Sequence, residues 1–403
     1  MQRKRSSVLA WAAALVSLGC LVPWGLSAQL TPVGSEVRAD TYPGSPSCPH
    51  LAVAADRSFE IVWDYNGIDS FSVFGRHFSP SGEPTNAVQV QFGSDGDFYD
   101  YNVADLVTAV PDGFQVFITN VDSNLERPPV DFRQRVNLTG MPVGAVETLK
   151  ITPSFLVGPD GSLYAVYFQA RPKNLVAQPV SPDGTPQGRR IVLNTRPVDA
   201  PRPETRLAPL GGGDFVALWN GVSMARPGVR ARQVLRGRIV HQGVPQGQDF
   251  DVNVSPGGAP DSPPFLGYVV VASSPSAREL AAVWPVTDAA GATSIHLRFF
   301  DASGRPLTGE TVAVPSAKPV FLLSAALDDA GRLLLLWRPP QNVLRARLFS
   351  PATGAPLGPA YQVGPAPQPF CGDVAWDGSS WLMAYWSGGS DGRGAIVWLR
   401  LAG

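Results

Sequence analysis

Charged side chains are scarce in this sequence. Asp, Glu, Lys and Arg together make up 16% of its 403 residues, and the net charge is −1. No segment rich in Lys and Arg follows the first five residues. Proteins that capture nucleic acid or an anionic membrane electrostatically carry a concentrated basic patch. We therefore expect neither nucleic acid nor a membrane surface as a partner.

Histidine is scarce as well. The chain has four histidines, and no two of them lie close in sequence: His50, His77, His241 and His296. A histidine-based metal centre or a catalytic triad would have to be assembled from distant segments. We expect no metal and no cofactor.

Long apolar runs are absent after the N-terminus. Residues 1–28 have the pattern of a signal peptide, with a basic start at Arg3–Arg5, an apolar run from Val8 to Val22 and small residues up to Ala28. Two alternatives remain open, a retained membrane anchor and lipid attachment at Cys20, which follows Leu18-Gly19. We expect a secreted, periplasmic or cell-surface protein.

Glycine and proline are abundant, with 41 and 40 residues, and 44% of the chain is apolar. This composition favours many short strands joined by tight turns. A five-residue apolar pattern that usually ends in an aromatic residue recurs about every 54 residues. Its seven copies are 59–63, 114–118, 163–167, 215–219, 280–284, 333–337 and 381–385.

Each copy stands in the same local setting. An apolar segment and a turn, often Asp-Gly, precede it, which is a strong hairpin signal. A third strand with a basic residue follows, then a Gly-containing turn and a weaker outer strand, such as 87–91 or 311–314. Four strands per repeat predict an all-β fold, a single seven-bladed β-propeller spanning residues 29–403. Blade 2 fits least well, because Ile118 replaces the aromatic residue.

The last repeat is incomplete, since the chain ends after its third strand. Residues 30–38 resemble the outer strand of the preceding repeat, 354–363. We therefore predict that they complete the last blade beside 395–401 and close the ring. Closure would also bring together Cys48 and Cys371, each expected just before the first strand of its blade. They are a candidate disulfide, with two buried free thiols as the alternative.

The repeats resemble those of secreted bacterial β-propeller proteins, a broad and mostly uncharacterised group, over the whole of residues 29–403. The resemblance depends on the Asp-Gly turn, the aromatic residue that ends the second strand and the Gly-Pro turns after the third. These motifs are structural, so the resemblance implies the fold and says little about activity.

Candidate ligand-binding residues concentrate in blades 1 and 2, in the connections from the second to the third strand and from one blade to the next. Carboxylates stand there beside aromatic residues: Asp64, Asp69, Asp95, Asp97, Tyr99, Asp100, Tyr101 and Asp122. Such a group could bind a sugar or a hard cation, or supply paired carboxylates for glycoside hydrolysis. A solvated loop of turn-forming residues would have the same composition.

Two sets of basic residues also stand out. The first, in blades 3 and 4, could bind anionic groups or simply add surface charge: Arg171, Lys173, Arg196, Arg202, Arg206 and Arg226. The second recurs on the third strand of six of the seven blades, which favours a structural role: Arg76, Arg135, Arg238, Arg298, Arg347 and Arg400.

Two functions remain open. The favoured one is a monomeric binding module that recognises a protein or glycan ligand through its rim loops and is not an enzyme. The alternative is a secreted carbohydrate-active hydrolase or lyase that uses the carboxylates of blades 1 and 2.

Overall fold

The regular structure of this protein consists of β-strands. The computed structural model describes residues 29–41, 45–66, 71–92, 100–122, 130–149, 154–157, 162–169, 171–181, 185–198, 205–223, 232–254, 269–276, 278–288, 290–316, 318–341, 343–363, 371–388 and 394–403. Its strands form seven separate antiparallel sheets. Each sheet is one blade, with four strands that we call A to D in chain order.

The first three blades follow one another along the chain. Blade 1 comprises β2 (Ser45–Val53), β3 (Phe59–Asn66), β4 (Phe71–Phe78) and β5 (Val90–Phe92). Blade 2 comprises β6 (Asp100–Val110), β7 (Gly113–Asp122), β8 (Val130–Asn137) and β9 (Pro142–Thr148). Blade 3 comprises β10 (Ser154–Val157), β11 (Leu163–Gln169), β12 (Asn174–Val180) and β13 (Ile191–Val192).

Blades 4 to 6 continue the series. Blade 4 comprises β14 (Thr205–Gly211), β15 (Asp214–Ser223), β16 (Arg232–His241) and its outer strand β18 (Phe250–Asp251), with a short extra strand β17 (Val244–Pro245). Blade 5 comprises β19 (Val270–Ser273), β20 (Glu279–Thr287), β21 (Thr293–Asp301) and β22 (Thr311–Val314). Blade 6 comprises β23 (Phe321–Leu327), β24 (Leu333–Arg338), β25 (Leu344–Phe349) and β26 (Tyr361–Val363).

The seventh blade joins the two ends of the chain. Its strands are β27 (Gly372–Trp376), β28 (Trp381–Gly388), β29 (Gly394–Ala402) and β1 (Thr31–Arg38). The all-β, seven-bladed propeller predicted from the repeats is therefore confirmed. Within the described ranges, no helix has the length and apolarity needed to cross a membrane.

The hydrophobic core lies between the blades. The described residues form seven apolar clusters, and each cluster combines side chains of two neighbouring blades. The residue that ends the strand-B pattern is buried in most blades, as Trp63, Trp219 and Trp284 show. Ile118 of blade 2 is buried in the same way, so the aromatic residue is not essential there. Burying one such side chain stabilises the fold by about 1.5–3 kcal/mol.

Strand β1 closes the ring by pairing antiparallel with β29. Val37 lies opposite Trp398 and Arg38 opposite Val397. The pairing continues past the end of β1, where the Ala39 amide donates to the Ile396 carbonyl at 2.7 Å. Asp40 Oδ1 accepts from the Ile396 amide, also at 2.7 Å. The predicted pairing of residues 30–38 with 395–401 is thus confirmed.

A disulfide joins Cys48 and Cys371 across this seam. Their Cα atoms lie 4.8 Å apart and 323 residues separate them in sequence. Cys371 directly precedes β27, as predicted. The prediction was wrong in detail for Cys48, which lies inside β2 at a bulge between Ser47 and His50. Its φ of 45° accompanies that interruption of the ladder.

The outer strand of blade 1 also begins later than predicted. The sequence pattern suggested a strand over 87–91, whereas β5 spans Val90–Phe92. Pairing with β4 begins only at Val90, which lies opposite Gly75. The carbonyls of Asn86 and Ala87 accept hydrogen bonds from Arg76 instead.

Removing the disulfide should weaken the closed ring. We expect the double substitution Cys48→Ser and Cys371→Ser to lower the free energy of unfolding by about 2–5 kcal/mol, because the bond restricts the unfolded chain. Denaturant unfolding of both proteins measures this difference. A reductant should lower the stability of the wild type and leave the double variant unchanged. Equal stability of the two proteins would contradict the expectation.

Candidate functional site

The propeller has two rims with different connections. One, which we call the turn rim, carries the A-to-B and C-to-D turns of every blade. The other, which we call the BC rim, carries the B-to-C connections and the links from strand D to strand A of the next blade. Of the predicted acidic residues, Asp64, Asp100 and Asp122 lie near strand ends on the BC rim.

Aspartates on the turn rim are engaged in their own turns. Four of them accept hydrogen bonds from backbone amides two to four residues further on: Asp56, Asp301, Asp328 and Asp377. Asp377 also accepts from the hydroxyls of Ser379 and Ser380. Burial alone would raise the pKa of Asp377, but these hydrogen bonds outweigh it and lower the pKa below its usual value. The acids of this rim therefore shape turns.

Three connections of blades 1 and 2, residues 67–70, 93–99 and 123–129, lie outside the described residues. Asp69, Asp95, Asp97 and Tyr99 lie outside the described residues. Asp100 and Tyr101 begin β6, and Asp122 ends β7. The backbone register places Asp100 directly opposite Asp122.

Asp64, which was also a candidate ligand-binding residue, contacts the neighbouring blade. It lies near the end of β3, where its Oδ1 accepts from the Ala104 amide of β6 at 2.6 Å. The ladder between β6 and β7 shifts register just after Ala104. Asp64 thus helps to position the start of blade 2, where Asp100 and Tyr101 stand.

The basic residues of blades 3 and 4 divide into several environments. Arg171 and Lys173 are exposed on the B-to-C turn of blade 3. Arg196 donates to the carboxylates of Asp249 and Asp251 at 3.0 and 2.9 Å, which joins blades 3 and 4. Arg206 donates to the Thr205 carbonyl, and Arg202 and Arg226 lie outside the described residues.

The recurring arginines of strand C have the structural role that their spacing suggested. Arg76, Arg238 and Arg298 each donate to carbonyls in their own C-to-D connection. Each also reaches the end of strand D in the preceding blade, at the carbonyls of Ala39, Leu193 and Val252. Burial lowers the pKa of Arg76, Arg238 and Arg298. An arginine stays charged in proteins nevertheless, so these contacts are charge-assisted.

Strand D supplies a second link between blades, which sequence reasoning missed. A polar residue just before the strand accepts from an amide beyond strand D of the preceding blade. Gln89 accepts from Thr41 at 2.8 Å, Asp249 from Thr195 at 3.2 Å and Glu310 from Val254 at 2.6 Å. The only sign of this link in the sequence is a polar residue that recurs just before the apolar strand D, and that sign is weak.

Blade 1 also buries an acid that sequence reasoning missed. Glu60 in β3 is fully buried, and its Oε2 lies 3.3 Å from Nδ1 of His77 in β4. That contact falls short of hydrogen-bond geometry. Burial raises the pKa of Glu60 and outweighs the opposing effect of His77.

The described residues contain no group of three His, Cys, Asp or Glu side chains placed to hold a metal ion. On the BC rim, Asp100 and Tyr101 stand at the start of β6 and Asp122 at the end of β7. Loops on a rigid scaffold are common carriers of binding residues.

No protein-family model and no curated protein sequence matches this chain. Its fold is similar to the β-propeller domain of the Trilobed protease from Pyrococcus furiosus, which is described as having an open velcro topology. That structure is 8% identical, with a TM-score of 0.50 over 89% of this chain and 96% of that chain. The present chain instead closes its ring through β1.

Two further structures are similar at lower TM-scores. A protein of unknown function from Dyadobacter fermentans is 10% identical, with a TM-score of 0.47 over 93% of this chain and 99% of that chain. The α-L-arabinanase of Penicillium chrysogenum is 11% identical, with a TM-score of 0.41 over 91% and 99%. At these identities the likeness concerns the fold alone.

Replacing a strand-C arginine should lower the free energy of unfolding only where the arginine donates hydrogen bonds to buried carbonyls. We expect Arg76→Leu to lower the free energy of unfolding by about 2–4 kcal/mol, because several carbonyls lose their donor. Arg135 of blade 2 lies one residue further along strand C, opposite Gln115, and pairs with the exposed Asp112. Arg135→Leu is therefore the control and should cost less than about 1 kcal/mol. Similar losses in both variants would contradict this role.

Glu60 should make stability depend on pH. Its folded pKa lies above its unfolded value, so its contribution is complete below the unfolded pKa and is lost as the pH rises through the folded pKa. We expect the free energy of unfolding of Glu60→Gln, relative to that of the wild type, to increase as the pH rises. The increase should be at most about 1.4 kcal/mol per pH unit. Denaturant unfolding between pH 4 and 8 measures this, with exposed Glu83→Gln as control. A constant difference across the range would refute the expectation.

Proposed function

We propose that this protein is an exported binding module that recognises a glycan through the BC rim of blades 1 and 2. The observation that supports the proposal most is the strand pairing described above. It places the ends of β3 and β7 and the start of β6 at the same rim, with Asp100 opposite Asp122.

The chemistry of these residues suits a carbohydrate. Carboxylates accept hydrogen bonds from sugar hydroxyls, and charged acceptors make the stronger bonds. Aromatic rings such as those of Tyr99 and Tyr101 supply a flat apolar surface for the sugar ring, together with a polar hydroxyl. Four aspartates of the turn rim are engaged in backbone turns, which favours the BC rim as the candidate.

Export is part of the proposal. The N-terminal 28 residues have the composition of a signal peptide, with lipid attachment at Cys20 as the alternative route to the cell surface. The disulfide between Cys48 and Cys371 agrees with an oxidising compartment, where such bonds form and persist. We propose that residues 29–403 act there as one monomeric domain.

A glycan array tests the binding site directly. We expect the purified protein to bind a defined set of glycans, and Asp97→Asn with Asp100→Asn to weaken binding at least about tenfold, because two charged acceptors are lost. Glu83→Gln is the matched control, since Glu83 is exposed on the turn rim. Unchanged glycan binding by the double variant would refute the site, and a ligand found only among proteins would refute the glycan.

The same samples distinguish binding from hydrolysis. Release of reducing ends from the bound glycans is measured with the wild type and the double variant. Turnover that disappears in the double variant and persists in Glu83→Gln would replace the binding proposal by the hydrolase alternative. Binding without turnover supports a module that only recognises its ligand.

A further inference from the structure

Blade 5 contains a serine, a histidine and a glutamate in a line. The hydroxyl Oγ of Ser294 lies 2.9 Å from Nε2 of His296. The other ring nitrogen, Nδ1, lies 2.7 Å from Oε1 of Glu310. A nucleophile in contact with a base, and a base oriented by a third group, is the arrangement that activates a serine.

The local structure explains why these three side chains meet. Ser294 and His296 are two residues apart on β21, so they share one face of the strand. Glu310 directly precedes β22, which pairs with β21, and the register of that pairing shifts between Ile295 and His296. No long-range assembly is needed, because all three lie within 17 residues of chain.

The carboxylate of Glu310 is held from two sides. Its Oε1 contacts His296, and its Oε2 accepts from the Val254 amide of blade 4 at 2.6 Å. The side chains of Glu310 and His296 are 7% and 10% exposed. With Glu310 accepting from Nδ1–H, the lone pair of Nε2 is directed to the Ser294 hydroxyl. Ser294 itself is only partly buried, near the BC rim.

The link between blades does not require this histidine. In blade 4, Asp249 accepts from the Thr195 amide just as Glu310 accepts from Val254. His296 lies opposite Trp284 in the ladder of blade 5, and the same position in blade 4, opposite Trp219, is occupied by Arg236. Arg236 lies 3.7 Å from Asp251 of its own strand D. An arginine cannot accept a proton, so the histidine of blade 5 adds acid–base capacity to a position that is otherwise structural.

We propose that Ser294, His296 and Glu310 form a nucleophilic site for acyl transfer from small carboxylic esters. Ser294 Oγ attacks the ester carbonyl carbon while its proton passes to His296 Nε2. His296 then gives that proton to the leaving alcohol as the ester C–O bond breaks. Water attacks the acyl-serine, its proton returns through His296 to Ser294 Oγ, and the carboxylic acid is released. Glu310 is a positioning residue that holds the imidazole in the required tautomer.

The surroundings favour a small apolar acyl group. Val312 lies opposite His296 in the ladder and is 50% exposed, and Val254 beside Glu310 is 69% exposed. These two side chains supply apolar surface beside Ser294, His296 and Glu310. The site is separate from the candidate glycan site, so either proposal can fail without the other.

Fluorophosphonate labelling tests the nucleophile. Attack by Ser294 Oγ forms the O–P bond, fluoride leaves, and His296 takes the proton. We expect the wild type to be labelled at Ser294, as located by peptide mass spectrometry, and to release p-nitrophenol from p-nitrophenyl acetate in a burst. Ser294→Ala should abolish both signals. The position of Ser294 is Val234 in blade 4, so alanine is compatible with the strand.

Variants of the other two residues separate the chemistry from folding. His296→Gln should slow labelling about 10²- to 10⁴-fold, the usual contribution of a general base, and Glu310→Gln should slow it less. The control is His241→Gln. It removes an exposed histidine of blade 4, which pairs with Asp214 of the same blade. Thermal unfolding of each variant verifies the fold. No labelling of the wild type, labelling at another serine, or equal rates in wild type and His296→Gln would overturn the proposal.

Discussion

The pairing of β1 with β29 is the constraint on which the rest of the molecule depends. In the described part of the chain, every apolar cluster is shared by two neighbouring blades, and none belongs to one blade alone. The N-terminal segment contributes Ala39 to the cluster between blades 7 and 1, together with Phe59 and Trp398. An open ring would lose this cluster and expose two sheet faces and their edges. Ring closure therefore stabilises all seven interfaces.

Polar contacts complete the blade interfaces toward the outside of the ring, where apolar packing is thinner. The arginines of strand C reach carbonyls at the end of the preceding blade's strand D, as Arg76 reaches Ala39. The polar residues that precede strand D accept amides from the same neighbour, as Gln89 accepts from Thr41. The arginine that donates and the polar residue that accepts thus belong to the same blade, and both bind the blade that precedes it. This directionality fixes the relative position of adjacent sheets, which apolar packing alone leaves adjustable.

The repeat could be predicted from the sequence because its signals are local. Apolar runs, Asp-Gly turns and the terminal Trp63 or Tyr385 lie within a few residues of one another, and the incomplete last repeat pointed to residues 30–38. Contacts between strands were harder to predict. The bulge that contains Cys48, the late start of β5 and the array of Ser294, His296 and Glu310 all depend on register. A one-residue shift in pairing changes which side chains meet, and no local pattern specifies it.

The two rims of the propeller differ in the roles of their residues. Asp56, Asp301, Asp328 and Asp377 satisfy backbone amides on the turn rim, so that rim is committed to structure. The BC rim carries the B-to-C connections and the links between blades. Asp100 and Asp122 of blade 2 and Ser294 of blade 5 lie at strand ends on this rim, in blades that share no interface. Because separated sites act nearly independently, one ring can carry a recognition surface and a reactive group without compromising either.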